Sequence, residues 1–127
     1  MPPPPRRRTR TTVLVVEDDA RLRNYYRSLL TLEGYVVLTA EDGVDALERV
    51  EDHQVGAVIL DLGLPRLAGE DVSRELASHP RLSSIPVIVV TGRDTADVDM
   101  ALYRCVLRKP VSPDALLKTV NECVRGA

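Results

Sequence analysis

The stretch "VLVVEDD", Val13 to Asp19, decides the fold. Its first four residues are a continuous aliphatic run rich in β-branched side chains, which suits a strand buried on both faces. Its last three are acids, so the strand is expected to leave the core at Glu17. Strands covered on both faces belong to parallel sheets flanked by helices.

The rest of the chain repeats this theme. After the acids comes a helical period of Leu22, Tyr25 or Tyr26, Leu29 and Leu30, with Gly34 placed as a C-cap. "YVVLTA" (35–40) reads as a second strand. "EDGVDALERV" (41–50) reads as a turn and a short helix with Val44, Leu47 and Val50 on one side. "GAVILD" (56–61) is a third buried strand, and residues 70–78 are a helix candidate with Val72 and Leu76 inward. "IPVIVVT" (85–91) is a fourth strand, 95–103 a weaker helix, and 105–107 a short fifth strand. Ser112 then caps a last helix with Pro113 at its first position and Leu116, Leu117, Val120 and Cys123 on its apolar stripe.

Five strands alternating with five helices predict a parallel sheet covered on both faces, and right-handed crossovers restrict it to a doubly wound (βα)5 sandwich. No Gly-x-Gly-x-x-Gly follows the first strand, which argues against dinucleotide binding. Spacing alone leaves the strand order open. The flavodoxin-like order 2-1-3-4-5 is the common one for five strands.

Composition narrows the function. The 127 residues carry a formal net charge of −2, with no Phe, no Trp and four Tyr. Base-stacking platforms need aromatic faces, so single-stranded nucleic acid is a poor fit. Arg6, Arg7, Arg8 and Arg10 put the basic excess in the first twelve residues and leave an acidic body, unlike a DNA-binding domain. "MPPPPRRRTRTT" (1–12) is read as a flexible tail, with a docking segment for an acidic or proline-reading partner as the alternative. Cys105 and Cys123 show no metal or redox spacing and are read as small buried hydrophobes. With no apolar run of membrane-spanning length and no signal peptide, the expectation is a cytoplasmic protein without membrane insertion.

Ligands of doubly wound sheets bind beyond the carboxyl ends of the strands. Glu17, Asp18 and Asp19 stand after the first strand, Asp61 after the third, Thr91 and Gly92 after the fourth, and Lys109 after the fifth. Carboxylates crowded into one crevice repel, and some hold protons unless a cation is present. Hard oxygen ligands without His or Cys suit Mg2+. A metal-bound carboxylate can attack a phosphoryl group, whose oxyanions then need a lysine and a hydroxyl donor as well as the metal.

These residues carry a resemblance. "VLVVEDD", "VILDLGLP", "VIVVTG" and "RKP", with Pro65 and Gly69 in "DLGLPRLAGED", make residues 13 to about 125 similar to the receiver domain of bacterial two-component response regulators. The resemblance implies that Asp61 is the phosphoacceptor. Mg2+ would be held by Glu17, Asp18, Asp61 and the backbone carbonyl of Gly63. It also implies that Thr91 binds a phosphoryl oxygen, that Gly92 keeps the phosphate accessible, and that Lys109 pairs with the carboxylate or phosphate. The Lys109–Pro110 bond is commonly cis in the family, and Asp19 fits the start of the first helix, where an acid favours the helix dipole. The phosphoryl donor would be a histidine kinase or histidine phosphotransfer protein, and the protein would catalyse only its own phosphorylation and dephosphorylation. The downstream target would be another protein, contacted through a surface that phosphorylation switches.

Two departures stand out. The family's switch aromatic lies three residues before the lysine, where this chain has Val106, and the interval from Thr91 to Lys109 is about four residues shorter than usual. The expectation is that the chemistry is kept and the output face, built from segment 95–103, the fifth strand and the last helix, is altered. Nothing follows the last helix, which reads as a stand-alone receiver or a domain cut from something longer. Two other readings compete. One is a degenerate receiver that acts as a phosphorylation-independent interaction module. The other is a phosphatase-like hydrolase, disfavoured because Gly63 occupies the place of its second acid. His53 and His79 fall in polar segments with no partner pattern.

Overall fold

The computed structural model describes residues 11–62, 69–80, 82–92, 103 and 105–124. Along the chain it forms β1 (Thr12–Val16), α1 (Ala20–Glu33), β2 (Val36–Ala40), α2 (Gly43–Asp52), β3 (Ala57–Asp61), α3 (Gly69–Ser78), β4 (Val87–Thr91), β5 (Cys105–Arg108) and α4 (Pro113–Val124). The strands make one parallel sheet in the order β2-β1-β3-β4-β5. The doubly wound sandwich and its flavodoxin-like order are therefore present. Of the five helices expected, four lie among the described residues. The fifth, at 95–103, falls outside them except for Tyr103, which is not helical.

Alternation along the strands sorts the core into two layers. Leu14, Val16, Val58, Leu60, Val87 and Val89 meet α2 and α3 through Ala46, Val50, Val72 and Leu76. Val13, Val15, Ile59, Ile88 and Val90 meet α1 and α4 through Tyr26, Leu30, Leu116 and Val120. All five residues of β3 and all five of β4 are buried, which explains why both strands read as unbroken apolar runs.

Local chemistry sets the boundaries. α1 ends in a Schellman arrangement: Gly34, at φ 106°, donates its N–H to Thr31 O, and Tyr35 N–H donates to Leu30 O. Tyr35 thus belongs to the helix stop, and β2 begins one residue later than expected. Its hydroxyl donates to Asn121 Oδ1, and Asn121 Nδ2 donates to Glu33 Oε2 at 2.9 Å, tying α1 to α4. The fourth strand starts at Val87 because Pro86 has no N–H to pair and Ile85 donates its own to Leu82 O. At the start of β3, Gly56 donates to Thr12 O at 2.8 Å, and a Cβ there would sit 2.5 Å from Thr11 Cγ2. Thr12 is part of β1, so the expected tail is shorter by that residue; residues 1–10 lie outside the described set.

One helix face differs from expectation. Val44 is 41% exposed, and the inward residues of α2 are Gly43, Ala46 and Val50, with Leu47 half-buried. Asp42 caps the helix through Asp45 N–H, which moves its start to Gly43 and turns Val44 outward. The cap expected at Ser112 is present, with Ala115 N–H donating to its hydroxyl at 3.1 Å. No helix among the described residues is long and apolar enough to cross a membrane.

Leu30 is fully buried in the α1/α4 layer, so Leu30→Ala is expected to cost about 2–5 kcal/mol in urea unfolding. Gly34→Ala, which forces a side chain into the left-handed region, is expected to cost about 1–2 kcal/mol by the same measurement.

Candidate functional site

The site sits where β1 and β3 end. The two strands are paired, Val16 opposite Leu60, and their carboxyl ends deliver Glu17 and Asp61 side by side. Glu17 is buried, Asp61 is 8% exposed and Asp18 is exposed. One carboxylate oxygen from each of Glu17, Asp18 and Asp61 lies within 4.8 Å of the others. This triad could hold a hard divalent cation.

Lys109 reaches the same point from β5. Its N–H donates to Thr91 O at 2.9 Å, which fixes the backbone just past the last strand pair, and the Lys109–Pro110 peptide is cis. The ammonium lies 3.1 Å from Glu17 Oε1 and 3.5 Å from Asp61 Oδ2. The sequence reading paired Lys109 with Asp61; in the structure it lies closer to Glu17. Thr91, 1% exposed, ends β4 next to this cluster in sequence register, since Val90 pairs with Asp61. A Cβ added at Gly92 would meet nothing within 4 Å among the described residues. Gly63 and Pro65 lie outside the described residues.

The electrostatics follow from burial. Desolvation pushes the Glu17 carboxyl up to about 7, and nearby Asp61 adds to this; the Asp19 N–H, 3.2 Å from Oε2, and Lys109 oppose it without cancelling it. Glu17 Oε1 is buried and, although Lys109 Nζ is close, takes no well-directed hydrogen bond. Burial lowers Lys109, but contact with Glu17 and the charge of Asp61 outweigh it and leave the ammonium above its ordinary range. Burial also raises the Tyr26 phenol, and the charge of Glu17 adds to that.

Three contributors were not singled out in the sequence. Arg23 donates to Glu17 O at 3.0 Å and Asp18 O at 3.4 Å, and pairs with Glu41 at 3.5 Å, so it clamps the acidic loop to the segment after β2. Tyr26 and Lys109 line one groove of about 470 Å³ with Leu22, Tyr25, Pro110 and Val111. Asp42, 8% exposed, caps α2 beside this end of the sheet. Only Tyr26 left a sequence signal, as an apolar-stripe position filled by a residue with a polar tip. Asp19, read as a helix-start acid, accepts from Arg21 and Leu22 N–H and caps α1. The grooves at the opposite end of the sheet, around Thr11, Gln54, Val55, Gly56 and Ser84, present no charged side chain among the described residues.

The doubly wound five-stranded fold, with Glu17, Asp18, Asp61 and Lys109 gathered at its strand ends, is that of a signalling receiver domain. The response regulator receiver domain pattern matches residues 13–121, and the chain belongs to that family. It is 39% identical over 112 residues to the response regulator MprA of Mycobacterium sp. (strain KMS), covering 85% of this chain and 48% of that protein. The chain thus spans about half the length of those curated relatives. It is 33% identical over 115 residues to the protein PilH of Pseudomonas aeruginosa, covering 86% of this chain and 94% of PilH. The receiver domain of the sensor histidine kinase PA1611 from Pseudomonas aeruginosa, solved with a magnesium ion in its active-site cleft, shares the fold at TM-score 0.83 and 24% identity, covering 93% and 99% of the two chains.

A raised Glu17 makes stability depend on pH. Between about 4.5 and about 7 the unfolded chain has ionised Glu17 while the folded chain keeps its proton, so stability falls as pH rises through that window. In metal-free buffer, urea unfolding is expected to show this decline, on the order of a few kcal/mol at most, in the wild type. The decline should be reduced in Glu17→Gln.

Proposed function

We propose that this chain is a phosphorylatable receiver in two-component signalling: it takes a phosphoryl group from a partner's phosphohistidine onto Asp61 and changes its protein contacts in response. The observation that carries the reading is the convergence of Glu17, Asp18 and Asp61 within 4.8 Å, with Lys109 at 3.1 and 3.5 Å from two of them.

The residues fit Mg2+. Three carboxylates and no His or Cys make a hard oxygen set, and the poorly satisfied, buried Glu17 Oε1 is an oxygen suited to a cation. The magnesium in the cleft of the PA1611 receiver domain supports this choice. When bound, Mg2+ would neutralise charge on the carboxylates and on the incoming phosphoryl oxygens. Glu17, Asp18 and Asp61 would hold it, and the carbonyl of Gly63 would complete the protein's share.

An Asp61 oxygen attacks phosphorus, the P–N bond to the donor imidazole breaks, and the imidazole leaves with the bonding pair and takes up a proton. Lys109 stands opposite the charge that develops on the phosphoryl oxygens, and the Thr91 hydroxyl donates to one of them. Gly92 would put no side chain of its own into the approach. Hydrolysis reverses the bond: water attacks phosphorus and the Asp61 carboxylate leaves. The donor would be a histidine kinase or histidine phosphotransfer protein, the target another protein, and the setting the cytoplasm. The receiver unit would run from residue 13 to about 125, behind a Pro/Arg-rich tail.

The output differs from the aromatic relay of the family. Val106 pairs with Val89, two residues below Thr91, and packs into the α2/α3 layer. Tyr103 is buried in the same layer but precedes β5, at the other end of that strand from Arg108, which pairs with Thr91.

Incubation with acetyl phosphate and Mg2+ is expected to add one phosphate to the intact mass. Asp61→Asn or EDTA should abolish the gain, and Lys109→Ala should slow it by roughly 10²-fold. An unchanged mass in a folded wild-type sample under every Mg2+ condition would instead favour the interaction-module reading.

A further inference from the structure

Arg108 has no role in the reading above, and its position gives it one. It closes β5 and pairs with Thr91 across the sheet. Paired residues of neighbouring strands lie about 4.8 Å apart and send their side chains to the same face. Val87, Val89 and Val106 all pack into the α2/α3 layer, so alternation puts Thr91 and Arg108 on that face as well. Lys109, one residue on, approaches Asp61 and Glu17 from the α1/α4 side, where it lines a groove with Tyr26.

Two further observations bear on Arg108. It is exposed and makes no ion pair among the described residues. At Gly92, the residue after Thr91, nothing among the described residues lies within 4 Å of where a side chain would begin. A long, exposed cationic side chain therefore stands beside Thr91. Guanidinium differs from ammonium here, because its planar fork can meet two phosphoryl oxygens at once.

We propose that Arg108 is a second phosphoryl-binding cation, which grips the group on Asp61 from the Thr91 side while Lys109 grips it from the other. This rests on Asp61 being the phosphoacceptor. Arg108 ends an edge strand, so drawing its guanidinium from solvent to the phosphoryl group removes a positive charge from the sheet edge. The phosphorylated state is then reported by charge, at a position where Val106 is too short to report it by a moving ring.

The test uses beryllofluoride with Mg2+ as the phosphoryl probe on the full chain, comparing wild type, R108Q, R108K and D61N. R108Q is expected to bind at least about tenfold more weakly, the loss of a charge-assisted contact. R108K should recover only part of the loss, and the Arg108 Nε–H resonance of the wild type should shift on saturation. Equal affinity in R108Q overturns the proposal. So does full restoration by R108K, which would mean that charge at a distance suffices, or an unmoved Arg108 Nε–H resonance. Wild type that is folded and takes no beryllofluoride overturns both this proposal and the phosphoacceptor reading. Wild type that binds, with D61N failing and R108Q unchanged, overturns the Arg108 contact alone. Because Arg108 is exposed, R108Q should keep the wild-type urea midpoint, which checks that affinity and not folding is being read.

Discussion

The structure depends on bringing buried carboxylates to one end of a parallel sheet. β1 and β3 are adjacent and in register, so the first residue past β1 and the last residue of β3 arrive together, and both are acids. Neither can escape to solvent without breaking strand pairs, and Glu17 is almost fully buried. Among the described residues one cation, Lys109, meets them, delivered from β5 by the main-chain bond to Thr91 O. Burial of Glu17 raises its carboxyl, nearby Asp61 adds to this, and Lys109 offsets only part of it. Crowded carboxylates also need the loop that carries them to be held in place. Arg23 holds the carbonyls of Glu17 and Asp18 so that the loop carrying the acids keeps its shape under mutual repulsion.

The strands were legible because their burial is two-sided. "VLVV", "AVIL" and "VIVV" contain no polar interruption, and each appears as a fully covered run of strand. Helix ends were legible wherever a capping residue announced them, as at Gly34, Asp19 and Ser112. The face of α2 was not. Its cap is Asp42, and moving the first helical residue to Gly43 rotates Val44 away from the sheet. Hydrophobic spacing cannot reveal such a rotation when small residues, here Gly43 and Ala46, fill the buried positions. Strand order also lay beyond the pattern, because alternation fixes handedness and not which strands are neighbours; it came from the commonest arrangement of five strands.

The convergence of Glu17, Asp18, Asp61 and Lys109 could be read because each residue interrupts an apolar run at a strand end, where doubly wound sheets bind ligands. The supports could not be read in this way. Arg23 acts through backbone carbonyls, which have no sequence signature, and Tyr26 looks like any apolar helix position until the fold sets it beside Lys109. Sequence shows where charge is forced to accumulate and is nearly silent on what steadies it.

Parity gives the last step. Asp61 and Val90 share the face that packs on α1 and α4, whereas Thr91, Val106 and Arg108 share the opposite one. On the proposed reading, chemistry occurs at the α1/α4 side of the strand ends and the signal is expressed on the other side. Anything that connects the two must cross the edge of the sheet, and β4 crosses it between Val90 and Thr91. A buried threonine hydroxyl can lean across that edge, but its motion is small and must be amplified by a neighbour on the same face. Val106 offers no polar group and no length, and Tyr103 precedes β5, at the other end of that strand from Arg108. Arg108, paired with Thr91 itself, is the neighbour on that face with both charge and reach.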